Sequence, residues 1–343
     1  MKSYHIHLGA GLAGLLVKEH DMPVPGPHDV LVRVRACSLS FRELMILILG
    51  YYPLPVRPDV VPVSDGAGEV IAVGSGVTRA KVGDRVAGAV FPHWIDGPFA
   101  WEYAAQLGGS LDGMLTEVAV LREEALVHIP NHLSFEEAAT LPIAAVTAWN
   151  ALTGSRPLQA GDTVLTLGSG GVSLFALQLA KLFGARVIAT TSSEEKAQRL
   201  KALGADEVLN YRTTPEWHIA VHELTGGQGV DQVIEVGGPG TIERSIKSTR
   251  YSGEIALIGS LARDTSMSET SALTVLRSAI AGVVTLRSIA AGSRAQFLAL
   301  NRAIAMHRLK PVIDRVFPFE EAQAAYRYYQ EAQPFGKVII SQS

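Results

Sequence analysis

Apolar and charged side chains alternate with a period of two along Val30-Leu31-Val32-Arg33-Val34-Arg35-Ala36, the pattern of a strand with one buried face. Pro23, Pro25, Gly26 and Pro27 stand just before it and exclude a helix there. Residues 66–74 and 83–88 read as further strand-and-turn units, so the first part of the chain is expected to be an irregular β domain. Near residue 130 the rhythm changes. Ser134 with Glu137 three residues on is a capping-box pattern opening an apolar helix. Strands are then expected at 163–167, 186–190, 207–209, 231–236 and 254–258, with helices at 172–183, closed by Gly184, and 193–203, closed by Gly204. Strands alternating with helices at this spacing predict parallel strands joined by helical crossovers, a doubly wound sheet. After about residue 310 turns return, with a polar helix around 320–329 and a last strand at 337–340.

The length of 343 residues allows two domains and a large buried core. A net charge of -3 and scattered histidines offer nothing to attract nucleic acid or an anionic membrane. Cys37 is the only cysteine, which excludes an internal disulfide framework and any multi-thiolate zinc site in one chain. A reducing, cytoplasmic setting is the default expectation. The first residues carry no basic leader followed by a long apolar run, and the apolar stretch 44–49 is too short to span a bilayer, so a soluble protein is expected.

Two glycine-rich segments compete for a dinucleotide. Gly9-Ala10-Gly11-Leu12-Ala13-Gly14 fits GxGxxG, but Pro23, Pro25 and Pro27 leave no room for the helix and second strand that such a site needs. It is expected to be a hairpin turn. Gly168-Ser169-Gly170-Gly171-Val172-Ser173 instead follows a clear strand and opens a clear helix. Glycines at that turn let the backbone approach a pyrophosphate, and the helix N-terminus offers free N–H groups to its oxygens. Ser173 stands where a third glycine is common. The second strand ends Thr190-Thr191-Ser192-Ser193, without the acid that binds a ribose 2′-hydroxyl. Ser192, Lys196 and Tyr211, with Arg212 beside it, form a candidate 2′-phosphate pocket and make NADPH the expected cofactor. Glu194 and Glu195 keep NADH open.

With these motifs on the page, the chain resembles the medium-chain dehydrogenase/reductase superfamily over nearly its whole length, most closely its zinc-independent quinone oxidoreductase and alcohol-dehydrogenase-like branch. The resemblance rests on residues 62–70, 73–77, 82–86, Ala138-Ala139-Thr140-Leu141-Pro142, Thr147-Ala148-Trp149, the Gly168 loop, Gly204-Ala205-Asp206 and Phe335-Gly336-Lys337-Val338. It implies an α/β chain in three stretches: a GroES-like substrate domain over 1–128, a Rossmann cofactor-binding domain over 129–290, and a return segment over 291–343 completing the first. It also implies an active site in a cleft between the domains. The catalytic zinc ligands of metal-dependent members align with Ser40, Ser64 and Ile143, and no cysteine follows Cys37 to hold a structural zinc. Hydroxyls are poor zinc ligands and isoleucine is none, so no metal is expected. Cys37 itself reads as a small buried strand residue.

Without a Lewis acid, hydride addition to a quinone or an α,β-unsaturated carbonyl is easier to support than alcohol oxidation. Such a reductase is the expectation. The alternatives are a zinc-free alcohol or aldehyde dehydrogenase and a cofactor-binding protein with little turnover. Quinone reductases of the group often carry Asn where Ser40 stands, and Glu43 replaces their usual Asp. Tyr52 resembles a Gly-x-Tyr element that donates a proton in enoyl reductases, although Tyr51 competes for the match and an aromatic wall is the plainer role. Ser40, Arg42 and Ser64 are further candidate donors to a substrate oxygen. By resemblance Thr147 touches the nicotinamide, and Gly237, Gly259 and Ser260 line its ribose at strand ends. His93 and Asp96 invite a catalytic pairing but lie in a loop better read as a lid. In this family the last Rossmann strand often pairs between subunits, which makes 285–289 the candidate edge of a homodimer.

Overall fold

The computed structural model describes residues 1–50, 52–259 and 269–342, the side chains of 269–271 excepted. The chain folds into two compact units, residues 1–146 with 291–343, and residues 147–290. In the first, β1 (Lys2–Ile6) and β2 (Leu15–Glu19) form an antiparallel hairpin. Gly9 to Gly14 is its loop, closed by the His7 N–H donating to the Gly14 carbonyl at 2.8 Å, so the first glycine motif is a turn. β3 (Asp29–Leu39) buries Val30, Val32 and Val34 while Arg33 faces solvent, as its alternation requires. α1 (Phe41–Leu47) follows, then β4 (Asp65–Val73), β5 (Arg85–Gly88), β6 (Val118–Arg122) and β7 (Leu126–His128). α2 (Phe135–Ala139) opens with both hydrogen bonds of the Ser134–Glu137 capping box. A single π turn, Leu141–Ala145, leads into α3 (Val146–Thr153).

The second unit runs β8 (Thr163–Leu167), α4 (Gly171–Leu182), β9 (Arg186–Thr191), α5 (Glu194–Ala202), β10 (Glu207–Asn210), α6 (Trp217–Leu224), β11 (Val230–Glu235), α7 (Ile242–Ser248), β12 (Thr249–Leu257), α8 (Glu269–Ala281) and β13 (Thr285–Ser288). Its strands form one parallel sheet in the order β10-β9-β8-β11-β12-β13. The chain winds outward from β8 in one direction, then crosses to β11 and winds outward in the other. Between β8 and β11 the order reverses, and the carboxyl ends of strands at such a switch form the crevice that binds ligands in open α/β sheets.

The chain then returns to the first unit as α9 (Arg294–His307), β14 (Ile313–Pro318), α10 (Ala322–Glu331) and β15 (Lys337–Ser341). β3 is the hub of that unit's sheet, pairing with β4, β6 and β15. Val30, Val32 and Val34 share one core with Phe317, Tyr326, Val338 and Ile340 of the returning segment. The boundary expected at 128/129 is corrected to 146/147, because α2 packs on β3, β4 and β15 and so belongs with the β-rich unit.

Candidate active site and cofactor site

In the second unit, the turn after β8 is shaped by glycine chemistry. Gly168 holds a φ of +73°, a left-handed value that costs a residue with a Cβ, and ideal Cβ atoms at Gly168 and Gly170 would enter open space. That space is a cradle beside the start of α4, whose N-cap is Gly170 and carries no side-chain cap. The first-turn N–H groups of Gly171, Val172 and Ser173 have no intrahelical carbonyl to meet, as at any helix start. The Ser173 hydroxyl donates to the Leu167 carbonyl at 2.6 Å, which knits the turn and leaves the residue's N–H, not its side chain, for a phosphate. Thr190 accepts from the Gly168 N–H at 3.2 Å and ties the turn to β9.

At the end of β9, Ser193 caps α5 by accepting the Lys196 N–H, and the Tyr211 N–H donates to the Thr191 carbonyl at 2.9 Å. These bonds gather Ser192, Lys196 and Tyr211 around one strand end, with Glu194 and Glu195 exposed. Next to β8, the loop after β11 is clamped by Glu235. Its buried carboxylate accepts from the Gly237 N–H at 2.7 Å, the Gly238 N–H at 2.9 Å, the Thr241 hydroxyl at 2.7 Å and the Ser245 hydroxyl. A Cβ at Gly237 would lie 2.2 Å from the Thr241 hydroxyl oxygen, so a side chain there would push Thr241 off Glu235. Thr147 is buried in the first turn of α3, Gly259 follows β12, and Ser260 lies outside the described residues. The sequence signal for Glu235 is an acid at the buried end of an apolar strand.

In the first unit, Ser40, Arg42, Glu43, Ser64, Asp65 and Lys337 form one buried network. Lys337 Nζ donates to the Leu39 carbonyl at 2.7 Å, to Ser40 Oγ at 2.7 Å and to Asp65 Oδ2 at 3.1 Å. Ser40 Oγ donates in turn to Asp65 Oδ2 at 3.1 Å, and the Ile143 N–H, in the π turn, donates to Asp65 Oδ1 at 2.8 Å. Beside it, Glu43 Oε1 accepts from Arg42 at 2.8 Å and from the Ser64 hydroxyl at 3.2 Å, while Arg42 also reaches Gln106 at 3.0 Å. The Arg42 guanidinium lies over the Tyr52 ring, 5.0 Å from its centroid. Burial pushes the Asp65 carboxyl up to about 6, against the opposing pull of Lys337. Burial likewise pulls the Lys337 ammonium down, with Asp65 opposing.

Two expectations change here. Ser40 and Ser64 were candidate donors to a substrate oxygen, but each has one hydroxyl proton and it is already given to a carboxylate. Both side chains are also buried. Tyr52 is only partly buried and lines an open hollow, and Tyr51 lies outside the described residues. His93 is exposed, whereas Asp96 caps the Gly97 N–H at 2.8 Å. Cys37 is buried in β3, its thiol donating to the Met114 carbonyl at 2.8 Å and pushed up by burial and by Asp65 and Glu43. The roles of Asp65 and Lys337 escape a reading of single motifs because the two lie 272 residues apart in sequence.

The donor set does not suit zinc. An ammonium occupies the hydrogen-bonding reach of Ser40, and a backbone N–H rather than a ligand comes from Ile143. Among the described residues, no group of three or more His, Cys, Asp or Glu side chains could hold a metal ion. Nor is any described helix long and apolar enough to cross a membrane.

A parallel sheet with a glycine turn at its switch point, together with a separate β-rich unit, defines a two-domain α/β protein of the dehydrogenase type. Residues 26–131 match the alcohol dehydrogenase GroES-like domain and residues 171–305 the zinc-binding dehydrogenase domain. The chain is 42% identical to a zinc-type alcohol dehydrogenase-like protein of Schizosaccharomyces pombe, over 96% of each chain. It is 38% identical to a quinone oxidoreductase of Pseudomonas aeruginosa, over 71% of this chain and 68% of that one. The structure of an NAD-dependent alcohol dehydrogenase superposes with a TM-score of 0.87 at 34% identity, covering 99% of both chains. This chain belongs to the medium-chain dehydrogenase/reductase superfamily, whose members use NAD or NADP.

Proposed function

We propose that the protein is a zinc-independent, NADPH-dependent reductase of quinones or α,β-unsaturated carbonyls, acting in the cytoplasm. The observation that carries this reading is the commitment of both serine hydroxyls to carboxylates, which leaves Tyr52, stacked on Arg42, as the donor for an acceptor's oxygen. The relationship to a quinone oxidoreductase supports the acceptor class. Bound NADPH supplies a hydride to the acceptor. The residues assigned to it are Thr147, the Gly168–Ser173 turn, Ser192, Lys196, Tyr211, Gly237, Gly259 and Ser260. The turn's N–H groups would hold the pyrophosphate, and Ser192, Lys196 and Tyr211 would hold the 2′-phosphate by charge and hydrogen bonds.

On an enone, taking up that hydride at the β-carbon would leave the negative charge of an enolate on the carbonyl oxygen. The Tyr52 hydroxyl stabilises that oxygen and releases its proton to the product, and solvent returns a proton to the phenolate. Arg42 holds the ring in place. Ser40 and Ser64 act one step removed, by keeping Asp65, Lys337 and Glu43 fixed behind the site. Following NADPH absorbance with a panel of quinones and enones tests the reading. Tyr52→Phe should lower turnover on an enone by about 10²-fold or more with NADPH affinity little changed. Full activity of that variant would remove Tyr52 as the acid, and no oxidation of NADPH by any acceptor would overturn the reductase.

A further inference from the structure

The ring of Tyr52 forms part of the wall of an open hollow of about 410 Å³ in the first unit. Leu8, Ile46, Leu54, Val56 and Trp101 line it with prolines 53 and 55, and among the described residues no charged side chain contributes. The volume lies within the ~300–1,000 Å³ range of small-molecule pockets. It exceeds what a proton donor alone needs. Trp101 is 70% exposed and Leu8 37%, large apolar surfaces left to water beside the residue assigned to the chemistry. Nearby charge also speaks against an anionic ligand. Arg57, next to Val56, is held by Asp112 at 2.5 Å, and Glu102, next to Trp101, is exposed.

We infer that this hollow is a subsite for an uncharged, apolar substituent of the acceptor, so that the substrates are quinones or enones bearing an alkyl or isoprenoid-like chain, not coenzyme A thioesters or other anionic carriers. The assignment rests on the reading of Tyr52 as the reductase acid, since the same ring joins the hollow to the reacting oxygen. A chain entering the hollow displaces water from the exposed apolar surfaces of Trp101 and Leu8 and meets no charged side chain among the described lining residues. Each buried methylene then contributes about a fourfold gain in affinity.

Binding of a homologous series of 2-alkyl-1,4-benzoquinones, from methyl to decyl, measured by equilibrium dialysis against the full-length protein, tests the subsite without requiring turnover. Affinity is expected to rise about threefold to fourfold per methylene and to level off once the hollow is filled. Trp101→Ala, a change at an exposed position that the fold should survive, is expected to flatten that dependence. Leu54→Asp should abolish it by placing charge against the chain. A flat series in the unmutated protein, or an octenoyl thioester of coenzyme A binding more tightly than the neutral octenoyl methyl ester, would overturn the subsite. Chain-length dependence without NADPH oxidation would uphold the subsite and defeat the reductase reading, whereas NADPH oxidation without chain-length dependence would do the reverse.

Discussion

Lys337 and Asp65 meet where neither reaches water, 3% and 0% exposed in their side chains. Two opposite shifts follow from that burial, the acid upward and the base downward, and both mark a pair that is ionised at a cost at neutral pH. For Asp65, a folded value of about 6 above the ordinary 3.8 means that its contribution is present below pH 4 and is lost as pH rises through 6. Lys337→Met should therefore destabilise the protein by about 3–5 kcal/mol at neutral pH, because it strands a buried carboxylate. In urea titrations the deficit should grow between pH 4 and pH 7, and the double change Lys337→Met with Asp65→Asn should recover much of it. A deficit independent of pH would count against the pair as described. Lys196 offers a cleaner functional test. Lys196→Ala should weaken NADPH by about 1–3 kcal/mol, the worth of a hydrogen bond to a charged group, and leave NADH nearly unchanged. Equal affinity of the unmutated protein for both cofactors would refute the 2′-phosphate pocket. The glycine turn between β8 and α4 was legible because a short apolar strand and a periodic helix flank it directly. The buried network was not, because Ser40 and Glu43 sit at helix-capping spacing, yet no side-chain cap forms at Ser40 and both groups are drawn into tertiary bonds.

The same contrast holds between elements. Strand–helix alternation announced the parallel sheet, since each crossover needs its own periodic helix and each strand a short apolar run. α1 was missed because a seven-residue helix in a stretch of apolar side chains carries no readable face. The π turn at Leu141–Ala145 has no sequence pattern of its own, although it is what frees the Ile143 N–H for Asp65. α9 was legible and overlooked: Ser293 and Gln296 complete a capping box at its start. In the second unit, the β11–α7 loop depends on a single group, the Glu235 carboxylate with four donors. Glu235→Gln replaces one acceptor oxygen by a donor and leaves at least one of those partners unmatched. The cost should be about 1–3 kcal/mol of stability in urea unfolding. Cofactor affinity should fall with it if the loop lines the nicotinamide ribose, which a fluorescence titration with NADPH would read. An unchanged affinity alongside lost stability would confine Glu235 to a structural role.

At the scale of the whole molecule, β13 has no partner on its outer side among the described residues of the second unit. β13 pairs with β12 on one side and is the last strand in the order. Its Leu286 is exposed. On α8, Leu273, Leu276 and Ile280 follow the three-and-four spacing of one helix face and are each more than half exposed, and Val283 just beyond is 66% exposed. An unpaired strand beside an uncovered apolar helix face is a template for association, and soluble monomers seldom leave both to water. Pairing of β13 with its own copy about a two-fold axis would satisfy the free N–H and carbonyl groups and cover those side chains in one step. We therefore expect a homodimer. Light scattering on the eluting protein at micromolar concentration should give twice the chain mass of 36.6 kDa. Leu276→Glu with Ile280→Glu should shift it toward the monomer, because each charge would have to be buried unpaired in the dimer, while both positions are exposed in a single chain and should leave its fold intact. A monomer from the unmutated protein, or a dimer indifferent to the two glutamates, would place the association surface elsewhere.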